Sequence, residues 1–189
     1  MRITGGKLRS RRLVAPKGDA TRPSSDRVRE SLFSILGSRC VDAHVLDLFA
    51  GTGALAFEAL SRGARGAVLV DRSREALTAI RANAATLGLA NVSRIVSDSV
   101  ERALATLDAA DPFDLVFVDP PYKDTSDGSV ARILEALTRR SLLAPDGLLV
   151  LEHAERDASP DLPGLARVDV RRYGDTALAF YAESGESSA

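Results

Sequence analysis

The chain has 189 residues, of which 45% are hydrophobic and 27% charged, with a net charge of −1. That is the size and composition of one globular domain with a small appendage. Cys40 is the single cysteine, which excludes an internal disulfide and a four-cysteine zinc site, and no apolar run approaches the ~20 residues that a membrane span needs. The opening MRITGGKLRSRRL has no apolar stretch behind its charges, so it does not read as a secretory signal, and a cytoplasmic location is expected. The charge is uneven. Residues 1–30 carry nine Lys or Arg against three acids, a net +6, and the remainder is −7. Such an asymmetry suits a basic arm for a polyanion beside an acidic body; the plainer alternative is a solvated, arginine-biased terminus.

In chain order, RITGGKLRSRRLV reads as two short strands around Gly5-Gly6. Capping residues at Pro23-Ser24-Ser25-Asp26 then open a helix over 24–37, with Val28, Leu32, Ile35 and Leu36 on one face. From residue 43 the pattern alternates. AHVLDLFA is a buried strand, broken by Gly51-Thr52-Gly53, and ALAFEALSR is a helix stopped by Gly63. GAVLVD is the second strand, SREALTAIRANAATLG a helix with a Ser cap and a closing Gly88, NVSRIVSD the third strand and SVERALATL a helix. FDLVFVDPP is the fourth strand. A helix over 126–143 ends at Pro145-Asp146-Gly147, LLVLEH is the fifth strand, and ARVDVRRYG and DTALAFYAE are two strands around a Gly-Asp turn.

Apolar strands alternating with helices specify a largely parallel sheet covered on both faces. The last two strands, joined by a tight turn, must be antiparallel to each other. The expected fold is therefore α/β and Rossmann-like, a mostly parallel seven-stranded sheet ending in an antiparallel hairpin. Residues 1–23 form a basic arm, 24–183 the main domain and 184–189, with SGESSA, a disordered tail.

Asp47-Leu48-Phe49-Ala50-Gly51-Thr52-Gly53 lies at the carboxyl end of the first strand and opens a helix, where ligands bind in such sheets. Gly51 and Gly53 let the backbone turn sharply and a ligand lie against it, and the helix start presents free amides. Asp71 ends the second strand 20 residues after Gly51, placed to accept from both hydroxyls of a ribose. Asp98-Ser99 ends the third strand at the same edge, near an adenine amine or simply as a helix cap. These features fit a dinucleotide or S-adenosylmethionine equally, since Gly51-x-Gly53-x-x-Ala56 also satisfies the dehydrogenase fingerprint.

Asp119-Pro120-Pro121-Tyr122, at the end of the fourth strand, separates the two. The prolines fix two φ angles and remove two amide donors, leaving a stiff segment of carbonyls and a carboxylate. An exocyclic amine has two N–H donors, which Asp119 Oδ and the Pro120 carbonyl can accept, while Tyr122 stacks on the base. Acceptors so placed localise the amine lone pair towards a methyl donor and stabilise the positive charge that builds on nitrogen.

These residues resemble the amino-directed, S-adenosylmethionine-dependent methyltransferases marked by [Asn/Asp]-Pro-Pro-[Tyr/Phe]. Arg2-Ile3-Thr4-Gly5-Gly6-Lys7, the run from Arg22 to Phe33, the glycine loop, the proline motif and Tyr173-Gly174-Asp175-Thr176 are together similar to the bacterial 16S rRNA guanine-N2 methyltransferase family RsmD, over about residues 2–181. Ser24-Ser25 departs from the family's usual Thr but keeps the hydroxyls.

The resemblance implies the class I methyltransferase fold, S-adenosylmethionine as cofactor and a guanosine amine of 16S rRNA as acceptor, within an assembled or assembling small ribosomal subunit. It implies Asp119, Pro120, Pro121 and Tyr122 at the target base. Asp47, Phe49, Gly51, Thr52, Gly53, Asp71, Arg72, Asp98 and Ser99 would surround the cofactor, and Lys7, Arg9, Arg11, Arg12, Arg22 and Arg27 would meet RNA. With so little chain to read sequence, selectivity would come from RNA shape or its protein surroundings.

His44 and His153 have no ligand spacing around them, and no metal site is expected. Cys40 reads as a small buried or half-buried residue. Glu152 reads as a substrate contact or a surface carboxylate, and a monomer is favoured. The competing acceptors are adenine N6 and a glutamine amide in a protein. A non-catalytic RNA-binding or ribosome-assembly factor and a nucleotide-dependent oxidoreductase are the rivals from other classes.

Overall fold

The computed structural model describes residues 1–15, 26–121 and 128–184. Helix α1 spans Asp26–Leu36, strand β1 His44–Leu48, α2 Ala54–Ser61, β2 Gly66–Asp71, α3 Arg74–Leu87 and β3 Ser93–Ser97. Then follow α4 Val100–Thr106, β4 Phe113–Val118, α5 Ser129–Arg139, β5 Leu143–Ala154, β6 Leu165–Tyr173 and β7 Thr176–Glu183. The seven strands form one sheet in the order β3-β2-β1-β4-β5-β7-β6. The first five run parallel, and β7 enters antiparallel to both β5 and β6.

Period-two alternation sorts the strand residues into two apolar layers. Val45, Leu69, Leu115, Phe117, Val150, Leu178 and Phe180 face α1, α2 and α3. Leu46, Leu48, Val68, Val70, Val116, Leu149 and Leu151 face α4 and α5. Because the central strands are covered on both faces, they read as unbroken apolar runs. The reversal between β1 and β4 opens the crevice where β2 and β3 lead to one side and β4 and β5 to the other.

Local signals set the helix ends. Ser73 accepts from the Ala76 amide and caps α3, which closes on Gly88 in the left-handed region. Ser99 does the same for α4, accepting from Arg102. Two spans differ from the sequence expectation: α5 is shorter than 126–143, and β5 begins at Leu143, ahead of Pro145. Helix α1 differs in its face. It buries Val28, Arg29, Leu32, Phe33 and Leu36, while Ile35 is exposed. The stripe is rotated because Arg29 is drawn inward by a buried carboxylate, described below.

Residues 1–15 lie against the body. Arg2 and Arg12 pair through one antiparallel bridge, and Ile3 and Leu13 are buried in the α1–α3 layer. Gly6 has a φ of +73°, and a Cβ there would sit 2.0 Å from the Ser61 carbonyl oxygen. Only glycine allows the turn to press this closely on the end of α2.

Candidate functional site

The carboxyl edge of the sheet gathers Asp47, Phe49, Gly51, Asp71, Asp98 and Asp119 at the ends of β1 to β4. Asp47 is 1% exposed, and its Oδ2 accepts the Ala56 amide of α2 at 3.1 Å. Burial pushes its carboxyl up to about 7, with the Ala56 hydrogen bond opposing and the Asp71 charge adding to the rise. Asp71 ties the loop to β2: Oδ2 accepts the Gly51 amide at 2.9 Å and Oδ1 the Ser73 amide at 2.8 Å. A carboxylate has about four acceptor directions, so both oxygens retain capacity for a pair of hydroxyls.

The backbone of this loop is forced out of ordinary conformations. Phe49, Gly51 and Gly53 have φ of 63°, 56° and 76°. For a bulky residue such as Phe49 this costs on the order of 1–3 kcal/mol, and such strain concentrates at functional sites. At Gly53 a Cβ would lie 2.4 Å from the Phe57 ring, so the residue is fixed by packing as well as by φ. At Gly51 a Cβ would meet nothing nearer than the Phe49 oxygen at 3.9 Å. That side of the loop is open, as a cradle for a ligand must be. A nucleoside with a vicinal diol and a cationic tail fits this donor set: acceptors at Asp71, a buried acid at Asp47, and an unobstructed glycine turn.

Thr52 is directed inward. Its hydroxyl lies 3.4 Å from Met1 Sδ and its carbonyl accepts from Asn83 at 3.0 Å. Arg72 is exposed. Asp98 accepts the Ser99 amide at 2.8 Å and stands 3.9 Å from Arg102, while the Ser99 hydroxyl is occupied by the cap of α4.

Asp119 follows β4, and its amide reaches the Leu48 carbonyl of β1 at 3.5 Å. The proline corner is thereby set one strand away from the glycine loop. Pro120 is buried and Pro121 exposed. Tyr122 and Arg22 lie outside the described residues, as do Pro23, Ser24 and Ser25. Glu152, a residue beyond the Val118–Leu151 pair and so beside Asp119 in register, is only 9% exposed. The reading of it as a surface carboxylate does not hold.

Lys7, Arg9, Arg11, Arg12 and Arg27 are all exposed, and Arg11 also donates to the Thr86 carbonyl at 3.0 Å. What anchors the arm beneath them was not legible as a motif. Glu58 of α2 is fully buried. Its carboxylate accepts the Thr4 and Gly5 amides at 2.7 Å each and the Thr4 hydroxyl at 2.8 Å. Arg62 Nε donates to it at 2.9 Å, and Arg29 Nε stands 3.5 Å away. Arg29, also fully buried, donates to the Arg2 carbonyl and to Asp26 at 2.8 Å. Asn83 completes the anchorage: Oδ1 accepts the Val14 amide at 2.7 Å and Nδ2 donates to the Val14 carbonyl at 3.0 Å. Neither residue carried a signal beyond being a charged or amide side chain on an otherwise apolar helix face.

His153 is buried with Ser159 on Nε2 and the Ala154 carbonyl on Nδ1, each at 2.8 Å. His44 stacks on Phe113 at 4.4 Å, at the amino edge of the sheet. Among the described residues no group of three metal-ligating side chains gathers, and no helix is long and apolar enough to cross a membrane. Cys40 is buried, and burial raises its thiol to about 11, which makes it inert at neutral pH.

The family model described as Conserved hypothetical protein 95 matches residues 1–182. The Escherichia coli K12 protein named ribosomal RNA small subunit methyltransferase D is 39% identical over 163 residues, covering 86% of this chain and 79% of that one. YlbH of Bacillus subtilis is 35% identical over 187 residues, 98% of this chain and 100% of its own length. The solved structure of Escherichia coli yhhF has a TM-score of 0.85 at 36% identity, covering 97% of this chain and 98% of that one. The loop, the proline corner and the anchored arm thus sit on a fold shared along nearly the whole chain, and the protein belongs to the Conserved hypothetical protein 95 family, that of the RsmD proteins.

Proposed function

We propose that this protein is an S-adenosylmethionine-dependent rRNA methyltransferase whose acceptor is the exocyclic N2 amine of a guanosine in 16S rRNA, in the assembled or assembling small ribosomal subunit. The observation that carries it is the proline corner, Asp119-Pro120-Pro121, hydrogen-bonded to the end of β1 beside an open glycine loop. The name of the Escherichia coli relative supports rRNA as the substrate.

When bound, S-adenosylmethionine supplies an electrophilic methyl group on a sulfonium. The chain's part is binding and orientation. Asp71 would accept the ribose hydroxyls, the Gly51–Gly53 turn would lie under the cofactor, and Asp47, buried behind that turn, would set its carboxyl towards the cationic end. The target base is turned out of its stack at a cost of roughly a few kcal/mol. Asp119 and the Pro120 carbonyl then accept the two amine N–H groups, which aims the nitrogen lone pair at the methyl carbon, and Tyr122 holds the base flat. Transfer would exchange the S–C bond for the new N–C bond, and the amine proton released would pass to Asp119 or water. Lys7, Arg9 and Arg12 hold phosphates without reading sequence.

The test is methylation by the purified protein of small ribosomal subunits, naked rRNA, DNA and a release factor, with mass mapping of rRNA from cells lacking it. Label on a guanine of 16S rRNA that is unmethylated in the deletion strain is the expected result. Label confined to DNA or protein, or a deletion strain with unaltered rRNA, would overturn the proposal.

A further inference from the structure

A second recess lies at the same edge of the sheet, between α1 and the outermost strand β6. It has a volume of about 510 Å³ and is lined by Arg27, Glu30, Ser31, Ser34, Ile35, Arg171 and Tyr173. Its position follows from register. Ala154 at the end of β5 pairs with Thr176, and Thr176 pairs with Tyr173. The Tyr173 end of β6 is therefore level with the carboxyl end of β5, two residues beyond the level of Asp119. Three strand spacings separate β4 from β6, roughly 14 Å at the usual inter-strand distance.

The chemistry of the recess is that of a single-stranded nucleic-acid platform. Arg171 and Tyr173, two residues apart on β6, share a face, and Tyr173 is half-buried against the α1–α3 layer, so the core holds its ring in place. Ile35, apolar and 40% exposed, borders it. Arg27 and Arg171 line the recess together with the ring. Asp169 takes Arg171 Nε at 2.8 Å, which steadies that side chain and leaves a phosphate to be met by its Nη groups. Glu30 is the acid on the opposite wall, and Ser31 adds a hydroxyl; the Ser34 hydroxyl donates to the Glu30 carbonyl at 2.9 Å. Aromatic stacking flanked by arginines is how proteins hold unpaired nucleotides without reading their sequence.

We infer that the α1–β6 recess binds an unpaired RNA nucleotide flanking the target base, its base stacked on Tyr173 and its phosphates met by Arg27 and Arg171. With the arm on the other side of α1, the RNA is then gripped on both sides of the flipped base. This rests on the rRNA methyltransferase reading above.

The experiment compares Tyr173→Leu, Tyr173→Phe, Arg27→Ala and Arg171→Ala with the unaltered protein. Measured are methylation of small ribosomal subunits, binding of a fluorescein-labelled single-stranded RNA, S-adenosylhomocysteine affinity, thermal melting and sedimentation. Tyr173→Leu and each arginine variant should raise KM and weaken RNA binding about tenfold, with kcat and S-adenosylhomocysteine affinity kept. Tyr173→Phe, which retains the ring, should behave as the unaltered protein. If Tyr173→Leu fails to fold, the arginine variants decide. Full activity and RNA affinity in the arginine variants would overturn the recess alone. A shift in oligomeric state without loss of RNA affinity would instead assign the recess to a second copy of the chain. An unaltered protein that methylates no rRNA would remove the underlying reading and the recess with it.

Discussion

Asn83 donates from the interior of the protein to the Thr52 carbonyl at 3.0 Å, and with the same amide it clasps both backbone groups of Val14. One 1%-exposed side chain therefore joins the glycine loop to the end of the basic arm. Replacing it with Leu keeps the volume but leaves the buried Thr52 carbonyl without its donor, a defect of about 1–3 kcal/mol, and releases both backbone groups of the exposed Val14. Asn83→Leu is expected to lose at least about 2 kcal/mol of stability and to weaken S-adenosylhomocysteine binding. Denaturant unfolding and calorimetry check this; a variant with unchanged midpoint and affinity would show that the clasp does not matter.

Glu58 makes the second prediction. Its carboxylate is the only acid facing Thr4, Gly5, Arg62 and the buried Arg29 at once among the described residues. Glu58→Ala leaves the buried Arg29 guanidinium with Asp26 as its remaining countercharge and takes the acceptor from Thr4, Gly5 and Arg62, so the loss should approach about 3–5 kcal/mol, that of a broken buried pair. The arm should also detach, so proteolysis within residues 1–15 should accelerate. Resistance equal to that of the unaltered protein would mean that Ile3, Leu13 and the Asn83 clasp hold the arm without Glu58.

What the sequence disclosed and what it hid divide along physical lines. Regular alternation, capping serines and terminal glycines are local, so Ser73, Gly88 and the β6–β7 turn were readable, as was the seven-stranded sheet they imply. The geometry of the glycine loop was readable because the turn needs glycines at fixed spacing next to an acid at the end of β2. The arm's anchorage was not, because Glu58 and Asn83 act across more than 50 residues of chain, and neither breaks the helical pattern around it. The burial of Arg29 was hidden for the same reason, and it turned α1 enough to expose Ile35. The left-handed backbone at Phe49 had no signal at all, since nothing in a phenylalanine announces it.

Asp47 gives a pH dependence. Its carboxyl is raised from 3.8 to about 7 by burial, so the folded protein retains a proton that the unfolded chain releases. The stability this contributes is complete below about 4, falls as pH rises through the window from 3.8 to about 7, and is gone above it. Asp47→Asn should flatten that decline, measured as unfolding free energy against pH. A cationic cofactor beside Asp47 favours its ionised form, so binding near pH 7 should release a proton, seen as a heat that varies with the buffer's ionisation enthalpy. A heat independent of buffer would place the cationic end elsewhere.

The arm's exposed arginines separate grip from anchorage. Arg9 and Arg12 are exposed, while Arg11 also ties the arm to Thr86. Arg9→Ala with Arg12→Ala should leave melting unchanged and weaken RNA binding. The slope of log affinity against log salt should fall by about 0.7 for each phosphate of a single strand that the arm no longer neutralises. An unaltered slope would return these residues to solvent.

In the proposed reaction Asp119 carries the chemistry, and its removal should separate turnover from binding. Its amide fixes it to Leu48, so truncating the side chain spares the backbone corner, and Asp71 and the glycine loop are untouched. Asp119→Ala should therefore keep S-adenosylhomocysteine affinity while kcat falls about 100- to 1000-fold, the usual cost of losing one aligned group that stabilises charge in the transition state. Asp119→Asn retains one acceptor oxygen in the same place and should recover part of the loss. If KM for the RNA rose instead and kcat stood still, Asp119 would be a binding group only. The localisation of the amine lone pair would then fall to the Pro120 carbonyl, which no side-chain substitution removes.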